Sequence, residues 1–260
     1  MCRHLAYLGP PVTLAALLYD PPHSLARQSY APRHQRYGTV NADGYGVAWY
    51  DPSVRPEPAR YRRAGPIWAD RSLPSLAGVV RSGAIMAAVR SATPPVPVEE
   101  SGSAPFSAGP WLFSLNGVVA GDLVTLRRSI SDQRQHGIEG ASDAELVFAL
   151  LLDRLDQGRA PAAAVVEVVS SLPGRLNLLL TDGRTIWATA WGDSLTWRLA
   201  PGGAGVVVAS EALDDQPGWV PVADRSLLTA TSSGCRVEAI PDRTPAEPPP
   251  EGLPAKGATP

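Results

Sequence analysis

The sequence predicts an α+β protein in which antiparallel sheets are covered by helices. Three observations carry this. Strand-like runs come first, helical patterns occupy the middle, and strands with short turns close the chain, an order that suits antiparallel sheets better than alternating βαβ units. The pair Asp182-Gly183 separates two β-rich runs, which signals a hairpin. The stretch "SDAELVFALLLDRLDQG" opens with the S-x-x-E capping pattern of Ser142 and Glu145 and stops at Gly158, the punctuation of a helix.

The elements follow in order. "CRHLAYLG" reads as a short strand over 2–9, ended by Gly9-Pro10-Pro11, and "TLAALLYD" as a short helix with Thr13 as its N-cap. A Gly-rich loop, "YGTVNADGYG", runs into a strand over 46–50. A helical piece over 74–82 leads to a strand over 84–92. The Pro-, Ser- and Gly-rich stretch 93–110 reads as loop, because its prolines cannot donate to a ladder and its glycines favour turns. A strand over 111–121 follows, then helices over 142–158 and 161–172. Strands are expected over 175–182, 185–192, 195–200, 205–211, 226–233 and 235–240. No internal repeat is visible. One folded domain over 2–240 is expected, with a disordered tail over 241–260, where "PDRTPAEPPPEGLPAKGATP" offers almost no large apolar side chain to bury.

Composition narrows the function. The apolar fraction of 44% suits a globular chain with a real core, and the net charge of −2, without any Lys/Arg run, argues against a nucleic-acid-coating surface. The two cysteines, Cys2 and Cys235, form no disulfide framework, and the four scattered histidines give no metal-ligand spacing, so no zinc site is expected. Gly9-Pro10-Pro11 splits the apolar start of the chain, which fits a signal peptide badly, and no run approaches a membrane span of roughly 20 residues. A cytoplasmic protein is expected, without nucleic-acid or membrane partners, with small-molecule binding and oligomeric state left open.

The chemistry concentrates at the start. A thiol attacks well only as thiolate. If Met1 is removed, Cys2 carries its own α-amine, whose reference pKa of about 7.7–8.0 lies near working pH, so one residue supplies both nucleophile and base. An ordinary early cysteine in the first strand is the alternative.

"CRHLAYLG", "VRSAT" (89–93), "LNG" (115–117) and "SDAEL" (142–146) occur in the order found in class II glutamine amidotransferases, which the chain resembles from about Cys2 to Cys235. These belong to the N-terminal nucleophile hydrolases, so the resemblance implies a four-layer αββα sandwich. "NADGYGVAWY", "VRSATPP" and "ASEALDDQPGW" are most similar to the branch of γ-glutamyl amidohydrolases serving ergothioneine biosynthesis. The implied reaction is removal of the γ-glutamyl group from γ-glutamyl-hercynylcysteine S-oxide through a thioester, with no metal or organic cofactor.

Residue by residue, the resemblance implies Cys2 as nucleophile and Asn116 with Gly117 as the oxyanion pair. Arg90 then holds the substrate's α-carboxylate, a task suited to a guanidinium fork. Asp143 meets its α-ammonium, and Thr93 bonds near the glutamyl group. Asn41, Asp43 and Gly44, in the loop implied to lie beside the nucleophile, are secondary candidates. The bland readings are an Asn-Gly turn, a surface arginine, a helix-dipole acid and capping by Ser142 and Glu145. "NADGYG" lacks a P-loop lysine. Segment 209–219 has no assigned role, and Cys235 is taken as a core residue.

Three positions depart from the wider family. Arg3 stands where glycine is usual, and Pro94 and Leu115 where histidines are frequent. These changes point from glutamine toward a bulkier γ-glutamyl amide. No second domain is seen to take up ammonia, so a free-standing hydrolase is expected. The rival readings are a glutaminase subunit feeding a separate synthase and a non-catalytic binding module on the same fold.

Overall fold

The strands sort into two sheets because both faces of the central strands are apolar. In a computed structural model of the chain, which describes residues 2–93 and 96–241, the elements are β1 (Arg3–Thr13), α1 (Ala15–Leu18), α2 (Leu25–Gln28), β2 (Tyr45–Trp49), β3 (Ala59–Arg63), α3 (Leu73–Val79) and β4 (Arg81–Val89). Next come β5 (Phe106–Ala108), β6 (Trp111–Val119), α4 (Leu123–Arg128), α5 (Asp132–Gln135), α6 (Asp143–Asp156) and α7 (Pro161–Ser171). The chain closes with β7 (Gly174–Thr181), β8 (Ile186–Ala190), β9 (Thr196–Leu199), β10 (Val206–Ala209), β11 (Val220–Pro221), β12 (Ser226–Thr231) and β13 (Gly234–Ala239). One antiparallel sheet has the order β11-β9-β10-β1-β4-β2-β3, and the other β13-β12-β8-β7-β6-β5.

Strand periodicity turns alternate side chains to opposite faces. In β1, Leu5 and Tyr7 pack under α1, α2 and α3, while Ala6 and Leu8 face the second sheet. In β6 and β7, Phe113, Leu115, Leu176 and Leu178 pack under α6 and α7, while Leu112 and Leu179 face the first sheet. Three apolar layers therefore separate four structural ones, the αββα sandwich. The layer between the sheets is rich in alanine (Ala6, Ala48, Ala84, Ala188, Ala190, Ala230), so the sheets can approach closely.

Several sequence expectations are corrected. β1 does not end at Gly9 but runs on to Thr13, with its register against β4 shifting between Leu8 and Val12; the exposed prolines sit at this irregularity, where their missing N–H groups cost the ladder nothing. The 93–110 stretch is not all loop: Phe106–Ala108 pairs with Trp111–Phe113 as an edge strand. The hairpin at Asp182-Gly183 forms, but its connection spans 182–185, with Asp182 Oδ1 accepting the N–H groups of Arg184 and Thr185. Ser142 caps α6 by accepting the Glu145 N–H at 3.3 Å, but Glu145 does not close the box; its carboxylate accepts from Glu139 and Gly140 and ties down the preceding loop. Cys235, on edge strand β13, is half-buried and packs against the inter-sheet core from its margin. The short α2, β3, α4, α5 and β11 carry too few residues to show a period. Of the tail expected over 241–260, all but Pro241 lies outside the described residues.

A polar bridge crosses the inter-sheet layer at the site end. His4 Nδ1 lies 3.0 Å from Ser114 Oγ, joining β1 to β6. Burial first, and the Arg3 charge second, hold the His4 imidazole neutral, down at about 3. An unfolded histidine titrates near 6.5. Below that pH the unfolded chain takes up a proton that the folded chain refuses. Stability from this group is thus complete above pH 6.5 and declines toward pH 3, by about 1.4 kcal/mol per pH unit within that window. Urea titrations at pH 7 and pH 5 should show a loss in the parent chain that is about 2 kcal/mol larger than in His4→Gln. Equal losses would refute the assignment.

Candidate active site

The site forms where the start of β1, the end of β4, the end of β6 and the start of α6 meet. A cleft of about 530 Å³, open solvent at its mouth included, is lined by Cys2, Arg90, Ser91, Thr93, Gly102, Phe106, Leu115, Gly117, Ser142 and Asp143, among others. Sequence separations of up to 141 residues are closed by strand pairing. Arg3 sits opposite Val89 in the β1–β4 ladder, which brings Cys2 to Arg90. Phe148 of α6 stacks on Phe113 of β6 at 5.1 Å, which seats the helix so that Asp143 Oδ2 accepts the Val119 N–H at 2.9 Å. The other Asp143 oxygen accepts from Ala144 at 2.9 Å.

Burial pushes the Cys2 thiol above its ordinary range. The positive charge at the chain terminus, a backbone N–H at Ser91 and the Arg90 guanidinium oppose this, and Asp143 adds to the rise. A thiol in this setting needs a base to become a nucleophile.

Arg90 is buried, and its hydrogen-bond partners among the described residues are two backbone carbonyls, Asp43 at 3.4 Å and Pro97 at 3.2 Å. No described carboxylate lies within ion-pair distance of it. Its guanidinium lies flat against Gly102, where a Cβ would come within 2.8 Å of it. The "NADG" loop supports this arginine from behind. The Asp43 N–H donates to the Arg90 carbonyl, the Arg90 N–H to the Gly44 carbonyl at 2.7 Å, and Asp43 Oδ2 accepts the Ala92 N–H at 2.8 Å. Asn41 does not line the cleft. It is buried against α2, donating to Gln35 Oε1 at 2.9 Å and to the Gln28 carbonyl.

Asn116 and Asn177 face each other across the β6–β7 ladder, both fully buried. Asn177 is saturated: its amide donates to the Asp193 and Ser194 carbonyls, and its oxygen accepts from Trp191 and Asp193. Neither amide atom of Asn116 has a partner among the described residues. At Gly117 a side chain is excluded, since a Cβ would overlap the Arg175 carbonyl of β7.

The sequence reading missed Phe106, Gly102 and Val96 as cleft walls and Pro97 as an Arg90 partner. They fall in the 93–110 stretch, whose composition says only that it is loop.

The profile of the family described as glutamine amidotransferases class-II matches residues 14–204. The chain belongs to the class II glutamine amidotransferases. It is 43% identical over 229 residues to the gamma-glutamyl-hercynylcysteine sulfoxide hydrolase of Mycolicibacterium smegmatis, covering 88% of this chain and 95% of that one. It is 42% identical over 241 residues to the Mycobacterium tuberculosis protein of the same name, covering 92% and 97%. Among solved structures, a glutamine aminotransferase class-II domain protein from Silicibacter pomeroyi superposes with a TM-score of 0.68 at 26% identity, covering 92% of this chain and all of that one. The phosphoribosylpyrophosphate amidotransferase of Bacillus subtilis, at 15% identity, shares the fold with a TM-score of 0.67 over 49% of its length. As a class II amidotransferase the chain is an enzyme of the N-terminal nucleophile hydrolase type. Among the described residues, no helix is long and apolar enough to cross a membrane.

Proposed function

We propose that this chain hydrolyses the γ-glutamyl amide of γ-glutamyl-hercynylcysteine sulfoxide, the compound in the names of its mycobacterial relatives. The observation that carries the reading is the cleft that holds Cys2 together with Arg90, a buried cation whose described partners are carbonyls only. Such a group is matched to an incoming carboxylate. Asp143 lines the same cleft, which supports assigning it the substrate's α-ammonium.

With Met1 removed, the Cys2 amine takes the thiol proton and Sγ attacks the γ-carbonyl carbon. Asn116 Nδ2–H and the Gly117 N–H stabilise the oxyanion. The C–N bond breaks, the α-ammonium returns its proton to the leaving amine, and a γ-glutamyl thioester remains. Water, deprotonated by the same amine, adds to the thioester carbonyl, and the C–S bond breaks to release glutamate and restore the thiol. Arg90 and Asp143 hold the two ends of the glutamyl group throughout.

A panel of γ-glutamyl amides, glutamine included, assayed by mass detection of released glutamate tests the reading. The sulfoxide conjugate should give the highest kcat/KM. Equal or faster turnover of glutamine would replace this reading by that of an ammonia-supplying glutaminase. Arg90→Ala should raise KM for γ-glutamyl compounds about 10- to 100-fold, the value of a hydrogen-bonded charge, while lowering kcat less. A KM within twofold of the parent would remove Arg90 from recognition.

A further inference from the structure

Segment 209–219 takes no part in the chemistry above, yet it grips the start of β1. The Ser210 N–H donates to the His4 carbonyl at 2.9 Å, and the His4 N–H donates to Ser210 Oγ at 3.0 Å. Glu211, next along, is 2% exposed. Its Oε2 accepts the backbone N–H groups of Arg33 at 2.8 Å and His34 at 2.9 Å. Its Oε1 faces Arg3 Nε at 3.8 Å and has no hydrogen-bond partner among the described residues. Asp215 extends the grip, accepting from Arg33 Nη1 at 2.7 Å and lying 2.9 Å from His23 Nε2.

Arg3 is the unusual member. Leu5 and Tyr7, two and four residues on, share its face of β1 and are apolar, as the helix-covered side of a sheet requires. Arg3 is 0% exposed, and none of its three side-chain nitrogens has a hydrogen-bond partner among the described residues. Burying a guanidinium so poorly bonded costs stability, and a leucine would fill the space without that cost. The charge is explained by what it faces: a carboxylate whose second oxygen already holds the 33–34 backbone. One ion pair thus connects the residue after Cys2 to two other segments of the chain.

We propose that Arg3 and Glu211 are a positioning pair, fixing the Cys2 chain end against the 33–34 and 209–219 segments so that the sulfur meets the scissile carbonyl in register. This rests on Cys2 being the nucleophile. Neither residue lines the cleft.

The test uses the full chain with Arg3→Gln, Glu211→Gln and both together, since a Gln–Gln pair restores a neutral hydrogen-bonding couple. Each single variant should lower kcat for the sulfoxide conjugate at least tenfold with KM within threefold, and the double variant should recover more than half of that loss on a logarithmic scale. Peptide-mapped iodoacetamide labelling accompanies the kinetics. Unlabelled Cys2 in the parent chain would sink the nucleophile reading itself. With Cys2 labelled and Cys235 labelling unchanged, single variants that keep kcat within threefold overturn the pairing alone. A double variant no better than the worse single one overturns it too, as does a kcat loss accompanied by faster Cys235 labelling, which would mark general loosening.

Discussion

Cys2→Ala is expected to abolish glutamate release while the protein folds and melts as before. The substitution removes one sulfur atom from a half-buried position just before β1, where no hydrogen bond of the ladder depends on the side chain. Its effect on stability should stay below about 1 kcal/mol. The effect on chemistry is of another order. Without Sγ no thioester forms, and what remains is substrate binding plus oxyanion stabilisation. Removing a nucleophile from a comparable acyl-transfer site costs on the order of 10⁶-fold in kcat. Steady-state glutamate release and thermal melts of the two proteins, with intact mass to establish that Met1 is absent from both, provide the measurement. An alanine variant within tenfold of the parent would rule out covalent catalysis at this residue. The burial that pushes the thiol up gives the result its mechanistic content, because this sulfur attacks only if a base stands beside it.

Asn116→Ala should separate activity from stability. If the Asn116 amide stabilises the oxyanion, kcat falls about 10²- to 10³-fold with KM little changed, the usual loss for one such donor. Stability should not fall, because both amide atoms are buried without partners among the described residues and their removal relieves an uncompensated desolvation. Its cross-strand neighbour supplies the control. Asn177→Ala breaks hydrogen bonds to Asp193, Ser194 and Trp191 and should cost about 2–4 kcal/mol in urea unfolding. Two asparagines opposite each other in one ladder would then divide cleanly, one serving reaction and one serving fold. A strongly destabilised Asn116→Ala protein with normal kcat would reverse that division.

Much of this was legible in the chain. β-rich runs between turn residues marked the strands, the Ser142 cap marked α6, and the short ordered stretches at Cys2, Arg90, Asn116 and Asp143 marked candidates for the site. Each of these signals is local, carried by a periodicity or by chemistry within a few neighbours. The sequence also showed two anomalies without their meaning: an arginine where glycine is usual, and an acidic segment with no role.

Only the tertiary structure decided which elements share a sheet and which polar groups are left unpaired. β9, β10 and β11 join β1 rather than the neighbouring hairpin, and that choice places Glu211 beside Arg3. The wall built by Gly102 and Phe106 depends on how a proline-rich segment folds back over Arg90. The physical reason is the same in each case. Secondary structure follows from the intrinsic preferences of adjacent residues. Burial, pairing and orphaned hydrogen-bonding atoms are properties of surfaces brought together from distant parts of the chain, and no window along the sequence contains both partners.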